Sequence, residues 1–130
     1  MIVVDTSALM AILLNEPEAE TCMAALEAEP DLLICAGTVA EALIVADRRN
    51  VGSEMHRLID GLGFQIVSLT PSAARWVADA YGRWGKGVHR AGLNFGDCFA
   101  YALAKAQGCR LLYVGEDFGR TDLDSAKMSG

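Results

Sequence analysis

Four acidic residues, Asp5, Glu41, Asp97 and Asp117, stand apart from the other carboxylates because each falls where a strand meets a helix or turn. Asp5 directly follows the apolar run Ile2-Val3-Val4, and Asp117 lies in the turn after Leu111-Leu112-Tyr113-Val114. Glu41 is expected in the first turn of the helix after the second strand, and Asp97 in the first turn of the helix before the last strand. Ligands of open α/β sheets bind outside the carboxyl ends of the strands, so all four acids should converge on one sheet edge. Converging carboxylates repel: two charges ~4 Å apart cost on the order of 4 kcal/mol at an effective dielectric of ~20. Either some of them hold protons or a cation sits among them. Hard oxygen donors without a neighbouring thiolate or imidazole suit magnesium, with manganese as a substitute. Such an ion activates a bound water and stabilises charge on a phosphoryl oxygen, which is the chemistry of phosphodiester hydrolysis.

Each acid also has a plainer explanation. Thr38-Val39-Ala40-Glu41 matches a capping box, in which the glutamate reaches back to the Thr38 amide. Asp97 suits the positive end of a helix capped by Asn94, Asp5 can be an N-cap, and Asp117 an ordinary turn residue. These explanations are independent of one another, whereas the four positions share one edge. Glu16, Glu18, Glu20, Glu27 and Glu29 read as a solvated face.

The elements that must position these groups alternate along the chain. Strands are expected at Ile2–Val4, Leu32–Cys35, Phe64–Leu69 and Arg110–Val114, with the tail as a marginal fifth. Helices are expected from Ala8 to Leu14, from Pro17 to about Glu29, from a Thr38 cap to Arg49, and from Glu54 to Leu62. Two more run from Ser72 to Trp84 and from an Asn94 cap to Gln107, where Gly108 is the stop. This order predicts a single domain over residues 1–130, an α/β/α three-layer sandwich around a short, mostly parallel sheet.

Composition bounds the rest. The net charge of −6 is unusual for a nucleic-acid enzyme, unless base is gathered locally. Arg83, Lys86, His89 and Arg90 do gather, in a glycine-rich segment without acids that ends just before Asp97. They are expected to flank the metal cluster as a clamp for nucleic-acid phosphates, the alternative being a solvated loop. Cys22, Cys35, Cys98 and Cys109 lack any CxxC spacing and sit in apolar stretches, so free thiols are expected. No apolar run is long enough to span a membrane, and Met-Ile-Val-Val-Asp does not resemble a leader, so a cytoplasmic protein is expected. Trp76 and Trp84 on one helix serve either the core or a homodimer interface.

Taken together, these residues resemble a known family. Val3-Val4-Asp5-Thr6-Ser7-Ala8-Leu9 looks like the opening of PIN-domain proteins, specifically the VapC toxins of bacterial toxin–antitoxin pairs. Thr38-Val39-Ala40-Glu41-Ala42-Leu43 is similar to the segment holding the family's second acid. Leu93 to Ala104, with Asn94-Phe95-Gly96-Asp97, and Leu111 to Phe118, with Gly115-Glu116-Asp117, resemble its third and fourth motifs. The resemblance implies a magnesium-dependent endoribonuclease that acts on structured RNA such as transfer RNA. It implies a homodimer silenced by a cognate VapB antitoxin. It also implies Asp5 and Asp97 as metal ligands, Glu41 as a ligand or water-orienting group, and Asp117 as an outer or second-metal ligand. Glu116 and Asp122 compete with Asp117 for the fourth place, and the Thr6 and Ser7 hydroxyls either brace the cluster or merely cap a helix. Three other readings stay open. A phosphotransfer receiver would need paired acids after the first strand and a lysine after the last, where this chain has Asp5 alone and Lys127. An interaction module would use the carboxylates only as caps. DNA cleavage differs from RNA cleavage in a hydroxyl that the metal site does not read.

Overall fold

Ile2, Val3 and Val4 are β-branched and wholly buried, and they form the strand against which the rest of the sheet is laid. The computed structural model describes residues 1–127. Four strands, β1 (Ile2–Val4), β2 (Leu32–Cys35), β3 (Gln65–Val67) and β4 (Arg110–Leu112), pair in parallel in the order β3-β2-β1-β4. The chain moves outward on one side through β2 and β3, then returns to place β4 on the other side of β1. The order therefore reverses between β1 and β4, which opens a crevice at their carboxyl ends.

Alternation along β1 divides the core. Val3 packs with Val77, Trp84, Cys98, Tyr101 and Leu111, beneath α5 (Pro71–Trp84) and α6 (Phe95–Gln107). Ile2 and Val4 point the other way. They pack with residues of α1 (Thr6–Leu13), α2 (Ala19–Ala28), α3 (Ala36–Arg48) and α4 (Gly52–Leu62). Two helical layers on a parallel sheet give the expected sandwich, and the described sheet is parallel throughout. The tail adds one bridge, Leu111 to Ser125, in place of a fifth strand. All four cysteines are free, and three of them are buried.

The largest departure from expectation lies at α3. The helix begins at Ala36, straight out of β2, so Thr38 is inside its first turn and Glu41 belongs to the second. No capping box forms there, and the Thr38 hydroxyl is buried without a partner. Local pattern pointed to Thr38, but β2 delivers the chain to the sheet edge two residues earlier. β3 is shorter than the apolar run suggested because it pairs on one side only, and Ile66 remains exposed.

Candidate active site

Asp5 ends β1 and caps α1. Its Oδ2 accepts hydrogen bonds from the Ser7 amide at 3.1 Å and the Ser7 hydroxyl at 2.7 Å. Ser7 Oγ accepts in turn from the Val114 amide at 3.0 Å, tying the end of β4 to the start of α1. Asp5 is only 2% exposed, and its Oδ1 is buried with no partner. An orphaned carboxylate oxygen is costly in a folded core. Such an oxygen fits a cation as its partner.

Two further carboxylates follow the same plan of one oxygen bound and one free. Glu41 Oε1 accepts from the Thr6 hydroxyl at 2.6 Å, so the second acid is braced from α1 rather than by its own helix. Asp97 Oδ2 accepts from the Asn94 amide at 2.9 Å, while Asn94 Oδ1 takes the Asp97 amide at 2.8 Å, a complete capping box. The plainer role is thus real for Asp5 and Asp97, but it occupies one oxygen of each. No hydrogen bond among the described residues reaches Glu41 Oε2 or Asp97 Oδ1.

The acids sense one another. Burial pushes the Asp5 carboxyl up to about 7, and the charges of Asp97 and Glu41 push the same way against the two Ser7 bonds. Burial likewise pushes Asp97 up to about 6; Glu41 and Asp117 add to this, while the Asn94 amide and Lys86 oppose it. Among the described residues no three such side chains yet stand in an ion-holding arrangement. Asp5, Glu41 and Asp97 are each anchored by a separate hydroxyl or amide donor. The donor set is all oxygen, with Asp5 buried, Glu41 and Asp97 half-buried and Asp117 exposed, and it is partly unpartnered, which fits a hard divalent cation.

The other acids face elsewhere. Glu116 pairs with Arg120 at 2.9 Å, and Asp122 accepts from the Tyr101 hydroxyl at 2.6 Å and Lys105 at 3.0 Å. Of the three candidates for the fourth place, Asp117 is the one whose charge bears on Asp97. Lys127 pairs with Glu18 at 2.6 Å, which is not the free lysine a receiver needs.

Sequence reasoning passed over one contributor, Gly96. A Cβ at this position would overlap the Glu41 carboxylate, so the missing side chain is what lets α3 bring its acid against the start of α6. The signal was present, a glycine lodged between a cap and an acid. Because Glu41 ends in a flexible carboxylate, Gly96→Ala should displace that group rather than unfold the chain. The expected result is a 10- to 100-fold loss of RNA cleavage, about what loss of a supporting partner costs at metal sites. Circular dichroism should be unchanged, and a Gly96→Ala enzyme with full activity would remove Glu41 from the mechanism.

The basic segment divides. Lys86 lowers the Asp97 pKa and so lies near the cluster. Arg83 instead lies over the Trp84 ring at 4.8 Å, and His89 meets the same ring edge-on while its Nδ1 accepts the Ala91 amide at 3.0 Å. Arg90 is exposed.

Comparison with known proteins shows the family. A family model for the PIN domain matches residues 2–123. The chain belongs to the PIN-domain family. It is 42% identical over 129 residues to the VapC ribonuclease Mb0640 of Mycobacterium bovis, covering 97% of this chain and 98% of that one. It is also 42% identical to the ribonuclease VapC of Mycolicibacterium smegmatis, over 93% of this chain and 96% of that one. Full-length likeness at this level makes it a VapC-type endoribonuclease. A crystal structure of Mycobacterium tuberculosis VapC20, a sarcin-ricin loop cleaving toxin, shares the fold at a TM-score of 0.81 and 14% identity, covering 98% of this chain and 100% of that one. A toxin–antitoxin complex from Klebsiella pneumoniae does so at 0.67 and 18% identity, over 94% and 93%. Among the described residues no helix is long and apolar enough to cross a membrane.

Proposed function

We propose that this VapC-type endoribonuclease cuts RNA with a magnesium ion, replaceable by manganese, held by Asp5 and Asp97 with help from Glu41 and Asp117. The observation that carries the reading is the buried, unpartnered Oδ1 of Asp5 under the negative charge of Asp97 and Glu41. When bound, the ion supplies an activated water and a positive charge for the phosphoryl oxygens. Asp5 and Asp97 hold charge at fixed points because Ser7 and Asn94 fix their carboxylates. Thr6 aims the Glu41 carboxylate, whose free oxygen is suited to orient a water or take its proton. Incubation of the purified protein with total RNA, followed by mapping of new ends, tests the reading. Cleavage should require magnesium or manganese and stop with a chelator; undiminished cutting in excess chelator would overturn it.

The chain acts, on this reading, in the cytoplasm as the toxin of a type II pair, on structured RNA such as transfer RNA, with residues 1–130 forming a single domain. Its partners are a VapB-like antitoxin and a second copy of itself. Trp84 is core, but Trp76 on the same helix is 49% exposed and supplies apolar surface for such contacts. Light scattering that gives a monomer at high micromolar concentration would refute the homodimer.

Lys86, with Arg83, His89 and Arg90 alongside, forms the phosphate path. Replacing Arg83, Lys86 and Arg90 together by alanine should weaken RNA binding and lower its salt slope by about 2, at ~0.7 per contact on single strands. Binding measured across salt in calcium checks this, and an unchanged slope would move the RNA path elsewhere.

A further inference from the structure

Beside the acid cluster lies a recess of about 350 Å³ whose walls include Gly37, Glu41, Ile44, Val45, Phe95 and Phe99. Phe95, the first residue of α6, is 67% exposed, more than any other large apolar side chain described. A lone exposed phenylalanine at a helix start adds nothing to the core. It packs edge-on to Phe99 with ring centroids 4.9 Å apart. Phe99 is in turn pressed onto α3, where a Cβ on Gly37 would come within 2.7–2.9 Å of its ring. The outer ring is therefore braced by a fixed inner one.

We propose that Phe95 is a stacking platform for a nucleobase of the RNA substrate next to the scissile phosphate. This deepens the acid-site reading and rests on it. The recess is apolar apart from the Glu41 carboxylate, so the cutting site and the recess share a wall. A base beside a phosphate held at the acids is one sugar away from that wall. Every base offers a flat face to an aromatic ring, which permits stacking without sequence readout. A protein chain seated over Phe95 would also cover Glu41 and so belongs to a silenced state, whereas cleavage requires RNA to pass there, so in the active enzyme the ring faces RNA. The ring fixes where the base sits, and through it the register of the phosphate over the ion.

The test uses the full-length protein and a short single-stranded oligoribonucleotide carrying 2-aminopurine, titrated in calcium. Phe95→Ala should weaken binding roughly 5- to 150-fold, the range expected for loss of one stacked base. In magnesium it should raise KM more than it lowers kcat. Phe95→Trp should keep affinity, and its added fluorescence should be quenched as RNA binds. Both variants change an exposed ring and should melt like the parent. Unchanged affinity and KM in Phe95→Ala would overturn the platform, and a simultaneous shift from dimer to monomer in sedimentation would assign the recess to a second copy of the chain. The acid site is judged separately: an inactive Asp97→Asn beside an RNA-binding Phe95→Ala removes the platform and leaves the site standing.

Discussion

Asp5→Asn should lose RNA cleavage by several orders of magnitude while the ion-free protein melts no lower than its parent at pH 8. The two effects have one origin. Asparagine is as good an N-cap as aspartate, and its carbonyl oxygen can keep both Ser7 bonds. What disappears is a buried charge facing Asp97 and Glu41, together with the orphaned oxygen. Removing an unpaired buried charge relieves the fold. Activity must fall because one preorganised group alone is commonly worth about 10²–10³ in kcat, and here a metal ligand goes with it. Asp97→Asn should behave likewise, with its capping box kept by the amide oxygen. Single-turnover cleavage beside a thermal melt measures both halves. A folded Asp5→Asn or Asp97→Asn that cuts at near the parental rate would sink the assignment.

A second large effect links protons to the ion. Asp5 goes from 3.8 in the unfolded chain to about 7 in the fold, and Asp97 from 3.8 to about 6. Between those limits the folded state binds more protons than the unfolded one, so their contribution falls as pH rises. The stability lost through these carboxyls is lost between pH 3.8 and about 7. Other carboxylates also titrate at low pH, so the clean readout is a difference. The stability of Asp5→Asn relative to the parent should grow as pH is raised through that window without ion. Magnesium or manganese replaces the missing protons. At about 100 times its dissociation constant either ion should add roughly 2.7 kcal/mol, and more total ion should be needed at pH 5 than at pH 8. Melting curves that do not move at millimolar levels of either ion would leave the carboxylates as caps and braces only.

Much of this site could be read before any fold was known. Asp5 after Ile2-Val3-Val4, and Asn94-Phe95-Gly96-Asp97 before a helix that stops at Gly108, carry their own local physics. A β-branched run, an N-cap with a matching acid, and a left-handed glycine each act over one turn of chain. The same locality misled at Thr38, where a good capping pattern lies inside a helix that β2 starts earlier. Thr6 was legible as one candidate brace, but its pairing with Glu41 was not, because the two are 35 residues apart and nothing in either segment specifies the other. The basic run was legible as composition, but not its division between Lys86 near the acids and Arg83 over Trp84.

The sequence by itself determined which stretches form helices and strands, which acids stand near strand ends, and which family's motifs they make. Only the tertiary structure decided that Asp5, Glu41 and Asp97 each keep one oxygen unbound, that Gly96 gives Glu41 its place, and that the exposed Phe95 shares a wall with the site. The reason is one of range. Caps, turns and β-propensity are contracts between residues one turn apart. The reversal of strand order between β1 and β4, and the packing of α3 against α6, join segments far apart in the chain through side-chain shape, which no local pattern encodes.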